Sequence, residues 1–209
     1  MSYKTNYVDA TGKTVEVSVT EAESREAIKN DFEELNKKYN SRYVSIERLK
    51  AQAGEELHLR ITVHAPTHYL NSSTDTTPKP CNSMSAEIIV YLGYPLKSVS
   101  AQYSKDHYLA SVNVFRSGNA CIDTWIPFKS SLLTVAEKLI NDMIHNPNVT
   151  RYDSPANSSM IQWHKDNVEA GRFPTITPKL LVNVETTALP PRNATVRRSV
   201  TPPPLPVRR

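Results

Sequence analysis

The hydrophobic pattern of the chain begins with a helical period. After Thr20, apolar residues recur at the spacing of one helix face, at Ile28, Phe32, Leu35 and Tyr39. Thr20 and Glu23 also have the spacing of a capping box, in which a hydroxyl and a carboxylate each satisfy an amide at the start of a helix. The pattern therefore predicts a helix over about 20–40.

Alternation of apolar and polar residues then replaces the helical period. It is clearest over 57–63 and returns over 99–103, as expected of half-buried strands. A weaker strand is predicted over 43–49, and an apolar run over 86–92 completes a four-stranded antiparallel meander. Ahead of the helix, 6–8 and 15–19 flank a turn and predict a hairpin, whereas the polar insertion 71–78 predicts a mobile loop.

Helical periodicity returns in the last third of the domain. An amphipathic helix is predicted from Leu132 to Met143 and is stopped by Pro147. A second helix is predicted from Asp153 to Glu169, with its apolar face towards the sheet at Met160, Ile161 and His164. Strands in one block with helices around them predict an α+β fold.

Composition divides the chain into three parts. The segment 171–209 holds eight of the fifteen prolines and seven basic residues against one acidic residue, so its formal charge is +6. Because the whole chain has a net charge of +4, residues 1–170 sum to −2. We therefore predict an N-terminal hairpin extension over 1–19, a domain over 20–170 and a mostly disordered, proline-rich basic tail over 171–209. Because the positive charge lies in the tail, the fold itself is not expected to bind nucleic acid.

Membrane and secretory signals are weak in this sequence. No run approaches the ~18 apolar residues of a membrane span, and the polar start at Met1 does not resemble a signal peptide. We expect a cytoplasmic protein without a membrane partner.

Two cysteines are the candidates for reactive chemistry. They are too few for a disulfide framework and do not have the spacing of a zinc site. Cys81 lies in a polar stretch and is interpreted as an incidental exposed thiol. Cys121 lies between the strands and the helices, in an irregular segment of the kind that carries reactive groups.

The histidines form no ligand pattern, so His58, His64 and His68 are interpreted as surface residues. Neither a metal nor a cofactor is expected.

The surroundings of Cys121 carry a recognisable motif. Asn113 lies eight positions before Cys121, with Gly118 between them and Asp123 two positions after the cysteine. This resembles the active-site stretch of the ubiquitin-conjugating enzymes, which reads His-Pro-Asn, then a glycine, then Cys-Leu-Asp. Three further segments resemble that family in the same order, namely Tyr94-Pro95-Leu96-Lys97, Trp125-Ile126-Pro127 and Asn146-Pro147-Asn148.

The resemblance covers about residues 20–170 and also has departures. Ser111 and Val112 stand where the family has His-Pro, and Trp125 lies closer to the cysteine than usual. The final family helix is lost near Phe173-Pro174. These features are typical of a divergent member, for instance from a bacterial or viral conjugation system.

The family implies a specific chemistry and specific partners. Cys121 would accept a ubiquitin-like protein from an activating enzyme as a thioester and pass it to an amine, with a ligase or a protein substrate as the later partner. Asn113 would either stabilise the oxyanion or order the loop, and Asp153 would assist the amine or cap the following helix. Leu96, Trp125 and Pro127 match positions that dock ligases and activating enzymes, although core packing explains Trp125 equally well.

Two other functions remain open at this point. The same fold could serve as an inactive binding module for a ubiquitin-like protein or a partner enzyme, which the loss of His-Pro favours. A structural protein that has its cysteine by chance is the third possibility.

Overall fold

The structure, a computed structural model, describes residues 1–8, 11–104 and 107–173. It has a mixed α+β architecture. The helices are α1 (Glu21–Tyr39), α2 (Leu132–Met143) and α3 (Ile161–Glu169). The strands are β1 (Ser2–Val8), β2 (Thr14–Thr20), β3 (Val44–Arg48), β4 (Glu55–Val63), β5 (Thr67–Leu70), β6 (Lys79–Cys81), β7 (Met84–Tyr91), β8 (Ser100–Tyr103) and β9 (Tyr108–Leu109). The predicted tail from residue 174 onward lies outside the described residues.

The central sheet has four antiparallel strands in the order β3-β4-β7-β8, which is the arrangement of a meander. Its inner face supplies fully buried residues such as Leu59, Ile61 and Ile88. Leu35 of α1 and Leu139 of α2 join them in one hydrophobic core. Burial of side chains of this size contributes about 1.5–3 kcal/mol each, so this core anchors the sheet on which the site is built.

The first helix and its cap are confirmed. The amide of Glu23 donates to Oγ1 of Thr20 at 3.2 Å, and the amide of Thr20 donates to the Glu23 carboxylate at 2.7 Å. The bond from the Thr20 amide, together with one from the Thr20 hydroxyl, holds the pKa of Glu23 below its usual value, because both favour the ionised carboxylate. Ahead of the helix, β1 and β2 pair as the predicted antiparallel hairpin.

A second sheet was not predicted. Strands β5 and β6 flank the insertion that we expected to be only a mobile loop, and β9 pairs with the other edge of β5. These strands have two to four residues each. A run that short cannot show a clear alternation in sequence.

The last helix begins later than predicted. The main chain from Asp153 to Asn157 is not helical, and a 3₁₀ turn at Ser158–Met160 precedes α3. The amide of Asn157 donates to the carbonyl of Val112 at 3.0 Å, which ties this segment to the loop before Cys121. Met160 and Ile161 consequently pack near Leu70 of the second sheet and not against the central one.

The surface interpretation of the histidines is wrong for two of the three. His58 is buried beside Glu87, with Nε2 at 3.1 Å from the carboxylate, and His68 is half-buried, whereas His64 is exposed. His68 lies in an aromatic cluster with His145, His164, Trp163 and Phe173, where neighbouring rings are 4.3–6.4 Å apart.

Within the described residues, no helix combines the length and apolar character needed to cross a membrane.

The histidine cluster predicts an acid-labile fold. Burial lowers the pKa of His164 from 6.5 to about 4, and burial, aided by His164 and His68, also holds the pKa of His145 well below its usual value. The unfolded chain therefore takes up protons first, so stability is full above pH 6.5 and is lost as the pH falls. Between pH 6.5 and its lowered folded pKa, each such histidine reduces the free energy of unfolding by about 1.4 kcal/mol per pH unit.

Urea unfolding between neutral pH and pH 4.5 would measure this slope. The variant His164→Gln should flatten it, and His64→Gln, at an exposed position, is the matched control that should not. A slope unchanged in His164→Gln would contradict the assignment of the acid lability to the cluster.

Candidate functional site

The motif around Cys121 folds as a tight hairpin. The amide of Gly118 donates to the carbonyl of Phe115 at 2.8 Å, and the amide of Phe115 donates to the carbonyl of Asn119 at 2.9 Å. Gly118 turns the chain with a φ of +87°, a conformation that residues with a side chain rarely adopt. The amide of Cys121 then donates to the carbonyl of Asn113 at 2.9 Å, so the eight-residue spacing places these two residues opposite each other.

This hairpin is fixed to the edge of the central sheet. The amide of Ala120 donates to the carbonyl of Ala101 in β8 at 3.0 Å, and the amide of Tyr103 donates to the carbonyl of Gly118 at 2.9 Å. Both bonds involve the edge strand β8, which would otherwise leave its outer main-chain groups unpaired. Cys121 is therefore held on a rigid element, although its own segment is neither helix nor strand.

Asn113 is almost completely buried, and its side chain is fully engaged. Nδ2 donates to the Asp142 carboxylate at 2.6 Å and to the carbonyl of Val149 at 3.3 Å. Oδ1 accepts from the amide of Arg151 at 3.3 Å. Because an amide group has two N–H donors and both have acceptors here, this geometry favours the loop-ordering role over the oxyanion role.

Cys121 opens onto a groove with a volume of about 740 Å³. Its walls come from the hairpin and from the segment after α2, with the residues Asn113, Phe115, Ala120, Cys121, Ile122, Asp123, Thr124, Arg151 and Ser154. The thiol-bearing residue is half-buried, and Asp123 forms an ion pair with Arg151 at 2.9 Å across the groove. The predicted nucleophile is thus accessible, and Asp123 braces the loop.

Asp153 is exposed beside the groove and is not one of its lining residues. The alternative interpretation of Asp153 as the cap of a helix is wrong, because α3 begins at Ile161. Its neighbour Ser154 does line the groove.

The three predicted docking residues have unequal access to a partner. Leu96 is buried, and Trp125 is half-buried with Nε1 donating to the carbonyl of Pro95 at 2.9 Å. Pro127 is also half-buried. The exposed apolar side chains of this loop are instead Ile126 and Phe128, which the sequence interpretation did not select.

Asp142 is a further residue that the sequence interpretation missed. It lies on the buried face of α2 with only 3% of its surface exposed. Burial raises its pKa to about 6, against the opposing effects of Lys138 and of hydrogen bonds from Asn113 and Tyr103. The sequence feature that could have identified it is the placement of an acidic residue on the apolar face of an amphipathic helix, between Leu139 and Met143.

The second cysteine is in a different setting. Cys81 is half-buried in β6, and its thiol donates to the carbonyl of Ser83 at 3.3 Å. Burial raises the pKa of this thiol, which lowers its nucleophilic fraction. Among the residues that the structure describes, no group of three or more histidine, cysteine or acidic side chains is arranged to hold a metal ion.

Neither a protein-family model nor a curated protein matches the chain. Among solved structures, Ubc12 of S. cerevisiae is similar with 15% sequence identity and a TM-score of 0.47, over 74% of this chain and 80% of that one. Because the identity and the TM-score are both low, we infer function from the residues of the groove and not from this neighbour.

Proposed function

We propose that this protein is a carrier enzyme of the ubiquitin-conjugating type. One observation carries the proposal: Cys121 faces an open groove while its main chain is bonded to Asn113, the first residue of the motif. A cysteine held on a rigid element and open to solvent can be reached by a protein-sized acyl donor. The resemblance of the surrounding segments to the ubiquitin-conjugating enzymes favours a ubiquitin-like protein as the acyl group that is donated.

The proposed reaction needs a thiolate and no resident cofactor. Sγ of Cys121 attacks the thioester carbonyl of a ubiquitin-like protein that is bound to its activating enzyme. A new C–S bond forms, and the thiolate of the activating enzyme leaves. In the second step an amine attacks the Cys121 thioester, loses a proton and forms an amide, and the Cys121 thiolate leaves.

The incoming amine must lose its positive charge before or during attack. Asp123 lines the groove, but its carboxylate is already paired with Arg151. We therefore assign to Asp153 the role of accepting the proton from the amine, because this residue is exposed next to the groove residue Ser154. Asn113 keeps the loop in place through its three side-chain hydrogen bonds.

Docking of the activating enzyme and of a ligase is assigned to the loop that contains Trp125 and Pro127. Ile126 and Phe128 present 41% and 49% of their surfaces on this loop, which gives a partner an apolar contact. Leu96 is buried and is therefore not assigned to partner docking.

The rival function is an inactive binding module of the same fold. Its main support is the replacement of His-Pro by Ser111 and Val112. In this chain, however, Oγ of Ser111 accepts the amide of Asn113 at 3.2 Å, so the replacement still fixes the start of the loop. This contact favours the active carrier.

Incubation with an activating enzyme, ATP and a ubiquitin-like protein tests the proposal. The full chain is tried against a panel of such pairs, and products are read by intact mass and on gels with and without reductant. We expect an adduct of the two proteins that reductant removes. A complex that forms on gel filtration without any adduct would establish the binding module, and the absence of both would reject both functions.

A further inference from the structure

Asp142 is a buried carboxylate that the proposed chemistry does not use. Its Oδ1 accepts from Asn113 Nδ2 at 2.6 Å, and its Oδ2 accepts from the hydroxyl of Tyr103 at 3.4 Å. The first distance is that of a strong, charge-assisted hydrogen bond, whereas the second is long. Asn113 is therefore the main partner of this carboxylate.

Asn113 connects Asp142 to the nucleophile in two hydrogen bonds. One joins the Asn113 side chain to the carboxylate, and the other joins the Asn113 carbonyl to the amide of Cys121 at 2.9 Å. The side-chain amide of Asn113 also bonds to the segment after α2, at the carbonyl of Val149 and the amide of Arg151. Both walls of the groove are thus bonded to Asn113, one through its main-chain carbonyl and the other through the side chain that Asp142 contacts.

We propose that Asp142 is a positioning residue, which through Asn113 holds Cys121 and the groove in the geometry required for transfer, and which does so more strongly while its carboxylate is charged. The transfer part of this inference rests on the proposed function. The loop-holding part concerns the protein alone and can be measured without any partner.

The charge on Asp142 is set by the groups around it. Burial opposes ionisation and is the dominant influence, and Asp123 opposes it as well. Lys138 on the same helix and the donors Asn113 and Tyr103 favour the charged form. With a pKa of about 6, the carboxylate is mostly ionised at neutral pH and becomes neutral at pH 5, where it accepts a weaker hydrogen bond from Asn113.

Ionisation of Asp142 strengthens its bond to Asn113 but lowers the overall stability of the fold. The folded pKa of about 6 exceeds the unfolded value of 3.8, so the contribution of Asp142 to stability falls as the pH rises between these values, opposite in sign to that of the histidine cluster, and stays low above pH 6. A neutral side chain at this position removes that loss. The variant Asp142→Asn should therefore melt at a higher temperature at pH 8 and yet hold Cys121 less well.

Hydrogen exchange of the Cys121 amide tests the loop-holding part. At neutral pH, Asp142→Asn should lower its protection factor by about tenfold, the difference of roughly 1.4 kcal/mol between a charge-assisted and a neutral bond. In wild type, protection relative to a central amide such as that of Leu59 should fall between pH 7.5 and pH 5, and in the variant it should not. Asp166→Asn, an exposed carboxylate on α3, is the matched control and should behave as wild type.

Transfer from the loaded protein to a free amine tests the other part. The variant should be about tenfold slower than wild type at neutral pH, and the two rates should converge near pH 5, because there wild type also carries a neutral side chain. Ionisation of the amine affects both proteins alike and cancels in the ratio. A ratio independent of pH, or an unchanged exchange rate at Cys121, would overturn the inference. If wild type forms no adduct at all, the proposed function fails, and the exchange measurement alone decides the role of Asp142.

Discussion

Replacement of Cys121 by alanine is expected to abolish the reductant-sensitive adduct completely. The acyl group has no other attachment site in the proposed mechanism, so the effect should be a loss to background and not a partial decrease. Stability should change by less than about 1 kcal/mol, since the side chain is half-buried and small. Adduct formation is read by intact mass, and unfolding is followed in urea.

Cys81→Ala is the matched control for this experiment. It removes the same atoms from a second half-buried thiol, one that donates to Ser83 and does not line the groove of Cys121. The variant should form the adduct at the wild-type rate. Loss of the adduct in Cys81→Ala with retention in Cys121→Ala would transfer the carrier role to the other cysteine.

The second large effect is expected for Asn113→Ala. Truncation leaves the Asp142 carboxylate buried without its principal donor, and it also frees the carbonyl of Val149 and the amide of Arg151. We expect a loss of about 2–3 kcal/mol in unfolding free energy, typical of an unpaired buried charge. Adduct formation and transfer should fall together by about a hundredfold or more, because both steps use the same loop.

Asn119→Ala is the control, since this asparagine lies in the same hairpin with an exposed side chain. The two roles considered for Asn113 also give different results in the absence of partners. Loop ordering requires faster hydrogen exchange over 113–121 in Asn113→Ala. An oxyanion role alone would slow transfer and leave that exchange unchanged, and this result would contradict our assignment.

Sequence reasoning succeeded where a local rule was sufficient. The capping box depends on two residues three positions apart, Thr20 and Glu23, and its hydrogen bonds form as predicted. The motif of Asn113 and Cys121 was selected by its resemblance to a family, and in the structure one tight turn at Gly118 brings these two residues together. Neither feature depends on contacts with distant parts of the chain.

Long-range contacts account for most of what was missed. Asp142 meets Asn113 across 29 positions of sequence, and no periodicity reports such a pair. The cluster of His68, His145 and His164 joins β5, the turn after α2, and α3 in the same way. The start of α3 was misplaced for a related reason, because the contact of Asn157 with Val112 holds the chain where capping rules alone favour a helix.

The linkage formed by Cys121→Lys tests the central claim most directly. An amine at this position should attack the donor thioester and give an amide that reductant cannot break. After protease digestion, mass spectrometry should find the C-terminal residues of the ubiquitin-like protein attached to the new side chain at position 121. A stable adduct attached elsewhere, or none from a donor that loads known conjugating enzymes, would contradict the account.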